Sequence, residues 1–527
     1  MDSKRLYVFR VSLIVALGGF LMGFDASVIS GVVKFIEPHF NLTKLQLGWA
    51  VSCLTLTSTL GMVVAGPLSD KFGRKKLLTA AAIIYAVSAV LSATAPTYEM
   101  LIVARMLGGL GVGISLITAP MYIAELAPPE IRGTMVSFNQ LNIVLGISIA
   151  FFTNYLILRS GNSEAAWVAA LKIDENNWRW MLGLETLPAV IYFLALYLVP
   201  ESPRWLMMKG KESEARAIIA LTTTEKNAIT VIDAIRSNTG TVKTSNKAKL
   251  KELFSPSLRL VLIIGIVIAV TQQITGINAV FFYAPMIFEQ TGIGVDASFS
   301  QAILVGLTNL IFTIVAMWLI DRAGRKILLI AGLSGIIISM GLLSYGFGTA
   351  TYKLEMEDAL SIGKELNNSE LEKIAGITFY SDLEFRDAVS IITGEEIFQN
   401  NKSVFTTAAI DINSWLVLIG LLGFVASFAV SLGPVMWVLF SELFPNRVRG
   451  VAISFAGFIN SGVSFSVQLI FPWELANLGN TTTFIIYGIF GLAGLIILSA
   501  MLPETRGKSL EELELFLAGN KKTLSDE

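Results

Sequence analysis

The sequence predicts an all-α membrane protein, with twelve transmembrane helices in two six-helix bundles joined by helical segments of a polar linker. Three observations predict it. Only 15% of the 527 residues are charged while 54% are hydrophobic, against about 25% charged in a soluble domain. Apolar runs near the roughly 20 residues needed to cross a bilayer recur along the chain. And short polar motifs at the ends of those runs occur twice in the same order.

The spans are expected at 9–31, 46–68, 77–95, 98–121, 134–158, 178–199, 257–289, 299–320, 327–348, 413–440, 450–473 and 481–502. The N-terminus, Met1-Asp2-Ser3-Lys4-Arg5, runs into the first without a small-residue cleavage signal, so it reads as a retained span. An even number of spans puts both termini on one side. Lys71, Arg74, Lys75 and Lys76, with Arg322, Arg325 and Lys326, fall on that side too, and the positive-inside rule makes it cytoplasmic. The expected location is a cell (plasma or inner) membrane.

The repeated motifs define two halves. Asp70-Lys71-Phe72-Gly73-Arg74-Lys75 is echoed by Asp321-Arg322-Ala323-Gly324-Arg325-Lys326. Glu125-Leu126-Ala127-Pro128, ending in Arg132-Gly133, is echoed by Glu442-Leu443-Phe444-Pro445, ending in Arg449-Gly450. Pro200-Glu201-Ser202-Pro203-Arg204 is echoed more loosely by Pro503-Glu504-Thr505-Arg506. The expected domains are 1–200, a linker at 201–256 with helical stretches near 211–237, 257–502, and a cytoplasmic tail at 503–527. The first pair is offset by 251 residues (321 minus 70) and the second by 317 (442 minus 125), so the second half holds 66 extra residues. They fall at about 349–412 on the outer side, as an ordered cap or a mobile loop. Two halves side by side in a membrane are one plan for a carrier whose site lies where they meet.

Asp25 sits in the middle of the first span, where a carboxylate costs about 2.5–3.5 kcal/mol even on the mildest scale. It therefore needs protein or a wet cavity around it, and Arg105 on the fourth span is its expected partner. Glu185 is a second intramembrane carboxylate in the same half. The chemistry leaves two readings open: a carboxylate that alternates between Arg105 and a proton, or a permanent pair that holds helices together.

Gln272, Gln273 and Asn278 form a second cluster. Amides both donate and accept, which suits a neutral polyol better than an ion. On an ideal helix Gln272 and Asn278 point apart, so a shared wall requires unwinding near Gly276. The alternative is interhelical hydrogen bonding. Gln140, Asn142, Asn309, Trp437 and Asn460 are further polar or aromatic groups inside spans; an indole after Gly433-Pro434 can stack on a sugar ring and donate one hydrogen bond. Gly108-Gly109-Leu110-Gly111-Val112-Gly113 lies inside a span with no strand before it, so it reads as close helix packing rather than a dinucleotide site.

Asp70 with Arg74, Glu125 with Arg132, Glu442 with Arg449, and Glu201 with Arg204 pair acids with arginines at the cytoplasmic ends. They read as topology determinants or as an ion-pair network between halves that opens and closes. One cysteine, Cys53, and one histidine, His39, make neither a disulfide framework nor a metal centre. No P-loop or catalytic constellation is present, so neither an ATP-driven pump nor an enzyme is expected, and no basic stripe suggests nucleic acid.

These motifs resemble the sugar porter family of the major facilitator superfamily along nearly the whole chain except 349–412. The matching segments are Gly66-Pro67-Leu68-Ser69-Asp70 with Gly73-Arg74-Lys75, Pro200-Glu201-Ser202-Pro203-Arg204-Trp205-Leu206, Gln272-Gln273 through Asn278, and Pro503-Glu504-Thr505-Arg506-Gly507. Within the family the chain is most similar to bacterial xylose-type sugar–proton symporters. The resemblance implies proton coupling at Asp25, Arg105 and Glu185, and sugar contacts at Gln140, Gln272, Gln273, Asn278, Asn309, Trp437 and Asn460. It also implies a cytoplasmic gate at Asp70, Arg74, Glu125, Arg132, Glu201, Arg204, Asp321, Arg325, Glu442 and Arg449. The expected protein is a monomeric carrier in the lipid bilayer, importing a neutral monosaccharide with a proton by alternating access, with no cofactor beyond the proton gradient. A passive uniporter and a non-transporting sugar sensor are the alternatives; a sensor usually has a long signalling tail, whereas about 25 residues follow Pro503. Met22 and Ser461 depart from the xylose type, which has an aromatic residue and commonly a tryptophan there, and the large outer insert is atypical.

Overall fold

A computed structural model describes residues 3–128, 130–223, 232, 250–445 and 448–505. The tail from Arg506 onward and, of the expected helical stretch near 211–237, residues 224–231 and 233–237 lie outside these.

The spans are α1 (Ser3–His39), α2 (Lys44–Phe72), α3 (Arg74–Ala93), α4 (Tyr98–Leu126), α5 (Arg132–Gly161), α6 (Asn177–Leu198), α7 (Arg259–Glu289), α8 (Val295–Ala323), α9 (Arg325–Gly348) and α10 (Ser414–Leu443). A last helical stretch runs Arg449–Met501, 53 residues. At 1.5 Å per residue it would be about 80 Å long, far beyond a hydrocarbon core of about 30 Å. Gly479 breaks it, at φ 75° and ψ 168°, into α11 (449–478) and α12 (480–501). The described residues thus hold twelve spans. α1 outruns its apolar stretch because Ser3-Lys4-Arg5 and Lys34–His39 continue the helix until Asn41 turns left-handed at φ 51°.

Three spans break where the sequence removes a helical hydrogen bond or admits a left-handed residue. α6 consists of Asn177–Gly183, Thr186–Ala195 and a final 3-10 turn. Pro188 cannot donate to the Leu184 carbonyl, which instead accepts from the Leu187 N–H at 3.1 Å; Glu185 sits on that irregular turn. α7 breaks at Gly276, φ 92°, into Arg259–Ile274 and Ile277–Glu289, the unwinding the amide spacing requires. α10 breaks at Ser431, three residues before Pro434.

The chain divides into two compact units, Met1–Ile29 with Cys53–Lys247 and Ser30–Ser52 with Ala248–Glu527. The division passes through α1 and α2, so their ends near the α1–α2 loop group with the second unit. In the first unit, glycines bring backbones together. A Cβ on Gly109 would lie 2.4 Å from the Leu54 carbonyl oxygen and one on Gly113 2.0 Å from that of Ser58, which joins α4 to α2. Gly23 and Gly146 do the same for α1 and α5. After α6, Pro203–Met208 and Glu212–Thr222 are helical.

Residues 349–412 form an ordered cap on the second unit. β1 (Thr351–Lys353) pairs antiparallel with β2 (Thr378–Phe379) and β3 (Ile410–Asp411) in the order β2-β1-β3. Four helices, Met356–Glu365, Asp382–Thr393, Glu395–Asn400 and Lys402–Ala409, complete it. Tyr352, Leu371, Phe385, Phe398 and Phe405 are buried in its own apolar core. Asp382 docks the cap on the α11–α12 break, accepting from the Asn480 N–H at 3.2 Å and Asn480 Nδ2 at 2.9 Å.

Candidate functional site

Three groups of polar side chains carry the chemistry: one lies in the first unit, one in the second, and the third has a copy in each. In the first unit Asp25, Arg105 and Glu185 are fully buried on α1, α4 and α6. Arg105 Nη1 lies 3.8 Å from Asp25 Oδ1, and Glu185 interacts electrostatically with both. Asp25 Oδ2 and Glu185 Oε1 are buried without a hydrogen-bond partner. Two carboxylates thus share one guanidinium. Gly108 makes room for them: a Cβ there would lie 2.9 Å from Asp25 Oδ2 and 2.6 Å from Ser88 Oγ. Asn154 Nδ2 donates to the Val28 carbonyl at 3.0 Å, tying α5 to α1 one turn from Asp25.

In the second unit the break at Gly276 lets Gln272, Gln273 and Asn278 meet. Gln273 Nε2 donates to Gln272 Oε1 at 3.1 Å and to Asn460 Oδ1 at 3.2 Å. Asn460 Nδ2 donates to the Ala269 carbonyl at 2.9 Å and to Gln272 Oε1 at 2.7 Å. Asn278 Nδ2 donates to Gln273 Oε1 at 2.9 Å and to Ser464 Oγ at 2.6 Å. Gln272 Nε2 reaches the Leu432 carbonyl at 3.0 Å, on the turn after the α10 break. Each of the four amide NH2 groups finds two or more acceptors in the protein. Asn309 is buried on α8, Trp437 is exposed on α10, and neither joins these hydrogen bonds. Gln140, in the first unit, is exposed on α5, and Asn142 is spent on the Phe138 carbonyl at 2.9 Å.

The acid–arginine motifs form two copies of one cluster; Asp70 meets Arg74 as expected, and the partners of Glu125, Glu442 and Glu201 differ from those expected. Arg74 grips Glu125 with two bonds of 2.9 and 3.0 Å and also reaches Asp70 at 3.1 Å. Arg325 grips Glu442 at 3.0 and 3.2 Å. Arg132 and Arg449 are not the partners of Glu125 and Glu442. Each lies seven residues beyond its acid, past a proline, and its Nε turns back to a carbonyl five residues earlier, Ala127 at 3.4 Å and Phe444 at 3.0 Å. Glu201 does not pair with Arg204, which is exposed; its Oε1 accepts the N–H groups of Arg74 and Lys75 at 2.9 and 3.0 Å. Glu504 does the same for Arg325 and Lys326, at 3.1 and 3.2 Å. Each carboxylate thus sits on the N-terminus of a helix, α3 or α9, where the dipole favours it. Ser202 and Thr505 complete the copies, donating to Glu125 at 2.5 Å and to Glu442 at 2.6 Å.

Sequence reasoning missed Gly108, Asn154, Ser464, Ser202 and Thr505 as members of these groups. Ser202 and Thr505 each follow a duplicated Pro-Glu, which was a legible signal; Gly108 was visible only as one glycine among four.

Comparison with known proteins decides what this architecture is. The sugar (and other) transporter family matches residues 11–363 and 391–516. The chain belongs to that family. The interruption falls inside the cap. It is 34% identical over 509 residues to the arabinose-proton symporter of Bacillus subtilis, covering 96% of this chain and 94% of that one. It is 33% identical over 551 residues to the D-xylose-proton symporter of Escherichia coli, covering 98% and 97%. An inward open structure of the xylose transporter XylE from E. coli superposes with a TM-score of 0.74 at 30% identity, covering 97% of this chain and all of that one. The fold is that of the major facilitator superfamily, and the family is one of membrane transporters, not enzymes.

Proposed function

We propose that the chain is a secondary active transporter that imports a neutral monosaccharide with a proton, by alternating access between two six-helix bundles. The observation that carries this is the buried trio of Asp25, Glu185 and Arg105. An unpaired charge inside a membrane protein is costly, and two carboxylates on one guanidinium leave one in excess, which a proton neutralises. Relatives named as arabinose–proton and D-xylose–proton symporters support the same reading. The amide network on α7, α10 and α11 supports a hydroxylated, uncharged cargo. With its NH2 groups spent on protein acceptors, a sugar binds by donating hydroxyls to oxygens such as Asn278 Oδ1 and by exchanging existing bonds.

One charge moving through about 100 mV is worth roughly 2.3 kcal/mol, about 40-fold accumulation of a neutral solute at 1.4 kcal/mol per tenfold. No cofactor is invoked. In this reading the basic-loop end faces the cytoplasm with both termini, and the cap faces outward. The test is proton movement in liposomes holding the purified chain and a pH-sensitive dye. An inward sugar gradient should acidify the lumen. Downhill sugar flux without acidification would instead indicate a uniporter, in which Asp25 and Arg105 form a permanent pair. Sugar binding with no flux would indicate a sensor.

A further inference from the structure

Between the cap, the facing ends of α1 and α2, and the end of α7, the second unit has a partly open cavity of about 500 Å³. That size falls within the range of small-molecule sites, roughly 300–1,000 Å³. Its wall is largely apolar, with Val33, Phe35, Leu42 and Met286 in it, and carries a set of mutually bonded polar side chains. Lys34 Nζ pairs with Glu289 at 2.5 Å, and Lys44 pairs with Glu37 and donates to Gln399 Oε1 at 3.1 Å. Gln399 Nε2 in turn donates to Glu395 at 2.6 Å.

Two donors on this wall are left over. Gln290, only 8% exposed, lines the cavity, and its Nε2 has no hydrogen-bond partner. Lys402, from the cap, also lines it and makes no ion pair among the described residues. Burial lowers the Lys402 ammonium below the usual lysine range and the Lys44 charge lowers it further, while the carboxylates of Glu37, Asp382 and Glu289 offset part of this. A buried donor without a partner is costly, so the wall favours whatever supplies acceptors. Three lysines face four glutamates around the cavity (Glu37, Glu289, Glu395 and Glu396), which gives an anion no net attraction. A molecule whose groups both accept and donate fits ammonium, amide and carboxylate together.

We infer that this cavity is a second sugar site, a capture site for a neutral monosaccharide beneath the cap, with Gln290 and Lys402 as its donors. The inference rests on the sugar reading above and extends it to the insert. The acceptors are ring or hydroxyl oxygens, and the sugar hydroxyls donate hydrogen bonds to the cavity's carboxylates.

The test uses the full chain and two readouts. In liposomes, Lys402→Met and Gln290→Leu should each raise the KM for uptake by about tenfold, the loss of one hydrogen bond to a charged or buried group, with kcat held. An unchanged KM in both overturns the inference. In the unmutated protein, acetylation of Lys402 by an N-hydroxysuccinimide ester, read by mass spectrometry, should be slowed by D-xylose, D-glucose or L-arabinose. The protection should persist in Gln272→Ala/Asn278→Ala, which removes the other amides. Protection absent, or lost with those amides, overturns the second site while leaving sugar uptake by the unmutated chain as separate support for the transport reading. If the unmutated chain moves none of these sugars, the transport reading itself has failed.

Discussion

Gly108 on α4 and Asp25 on α1 are in direct apposition: a Cβ at position 108 would stand 2.9 Å from the unpartnered carboxylate oxygen Oδ2. The glycine is what lets the first helix carry its acid against the fourth, where Arg105 waits three residues away. Gly108→Ala is expected to destabilise the protein by about 1–3 kcal/mol, the usual cost of overpacking, and to depress proton-driven uptake more than sugar exchange. Thermal melting and paired uptake and exchange assays check it. Equal losses in both assays would make Gly108 a packing residue alone.

Asp25→Asn keeps the shape and removes the charge that a proton or Arg105 must answer. Uphill uptake should disappear while sugar-for-sugar exchange stays measurable. Concentrative uptake at the unmutated level would refute a coupling role for Asp25.

The two arginine clusters should differ in strength. Arg74 and Glu125 side chains are 4% and 7% exposed, against 14% and 19% for Arg325 and Glu442. Breaking a buried pair costs about 3–5 kcal/mol, so Arg74→Ala should lower the melting temperature more than Arg325→Ala. Arg132→Ala, which loses one long bond to a carbonyl, should stay close to unmutated. The reverse order in a melting series would contradict the buried geometry.

Asn460 and Asn278 separate stability from binding. Asn460→Ala strands one Gln273 N–H in the interior, at about 1–3 kcal/mol for an unsatisfied group, and removes a second bond from the helical Ala269 carbonyl. Asn278 is only half-buried, so Asn278→Ala should melt near the unmutated temperature and raise the KM for sugar. Calorimetric melting beside uptake kinetics distinguishes the two.

Asp382 tethers the cap to the helix break at Gly479 and Asn480, beside Arg386, which donates to the Ala476 carbonyl. Asp382→Ala should increase proteolysis or hydrogen exchange across 349–412 while the spans remain protected, because the cap keeps its own apolar core. Exchange that rises through α11 and α12 as well would show that the tether supports the spans.

The sequence by itself determined whatever depends on neighbours along the chain or on the thickness of the bilayer. Twelve apolar runs, the duplicated motifs and the cost of an acid at Asp25 are all of this kind, whereas the unwinding at Gly276 was legible only as the condition for a shared amide wall. Family membership was legible too, because it rests on the same local motifs. Only the tertiary structure decided which groups meet. Glu125 takes Arg74, 51 residues away, over Arg132, only seven residues along the chain. Glu201 serves a helix N-terminus 126 and 127 residues distant. The insert folds because Tyr352, Phe385 and Phe405 close one small core. The reason is physical: a membrane span is specified by its own composition, whereas a buried charge or amide is satisfied by whichever partner packing brings within about 3 Å.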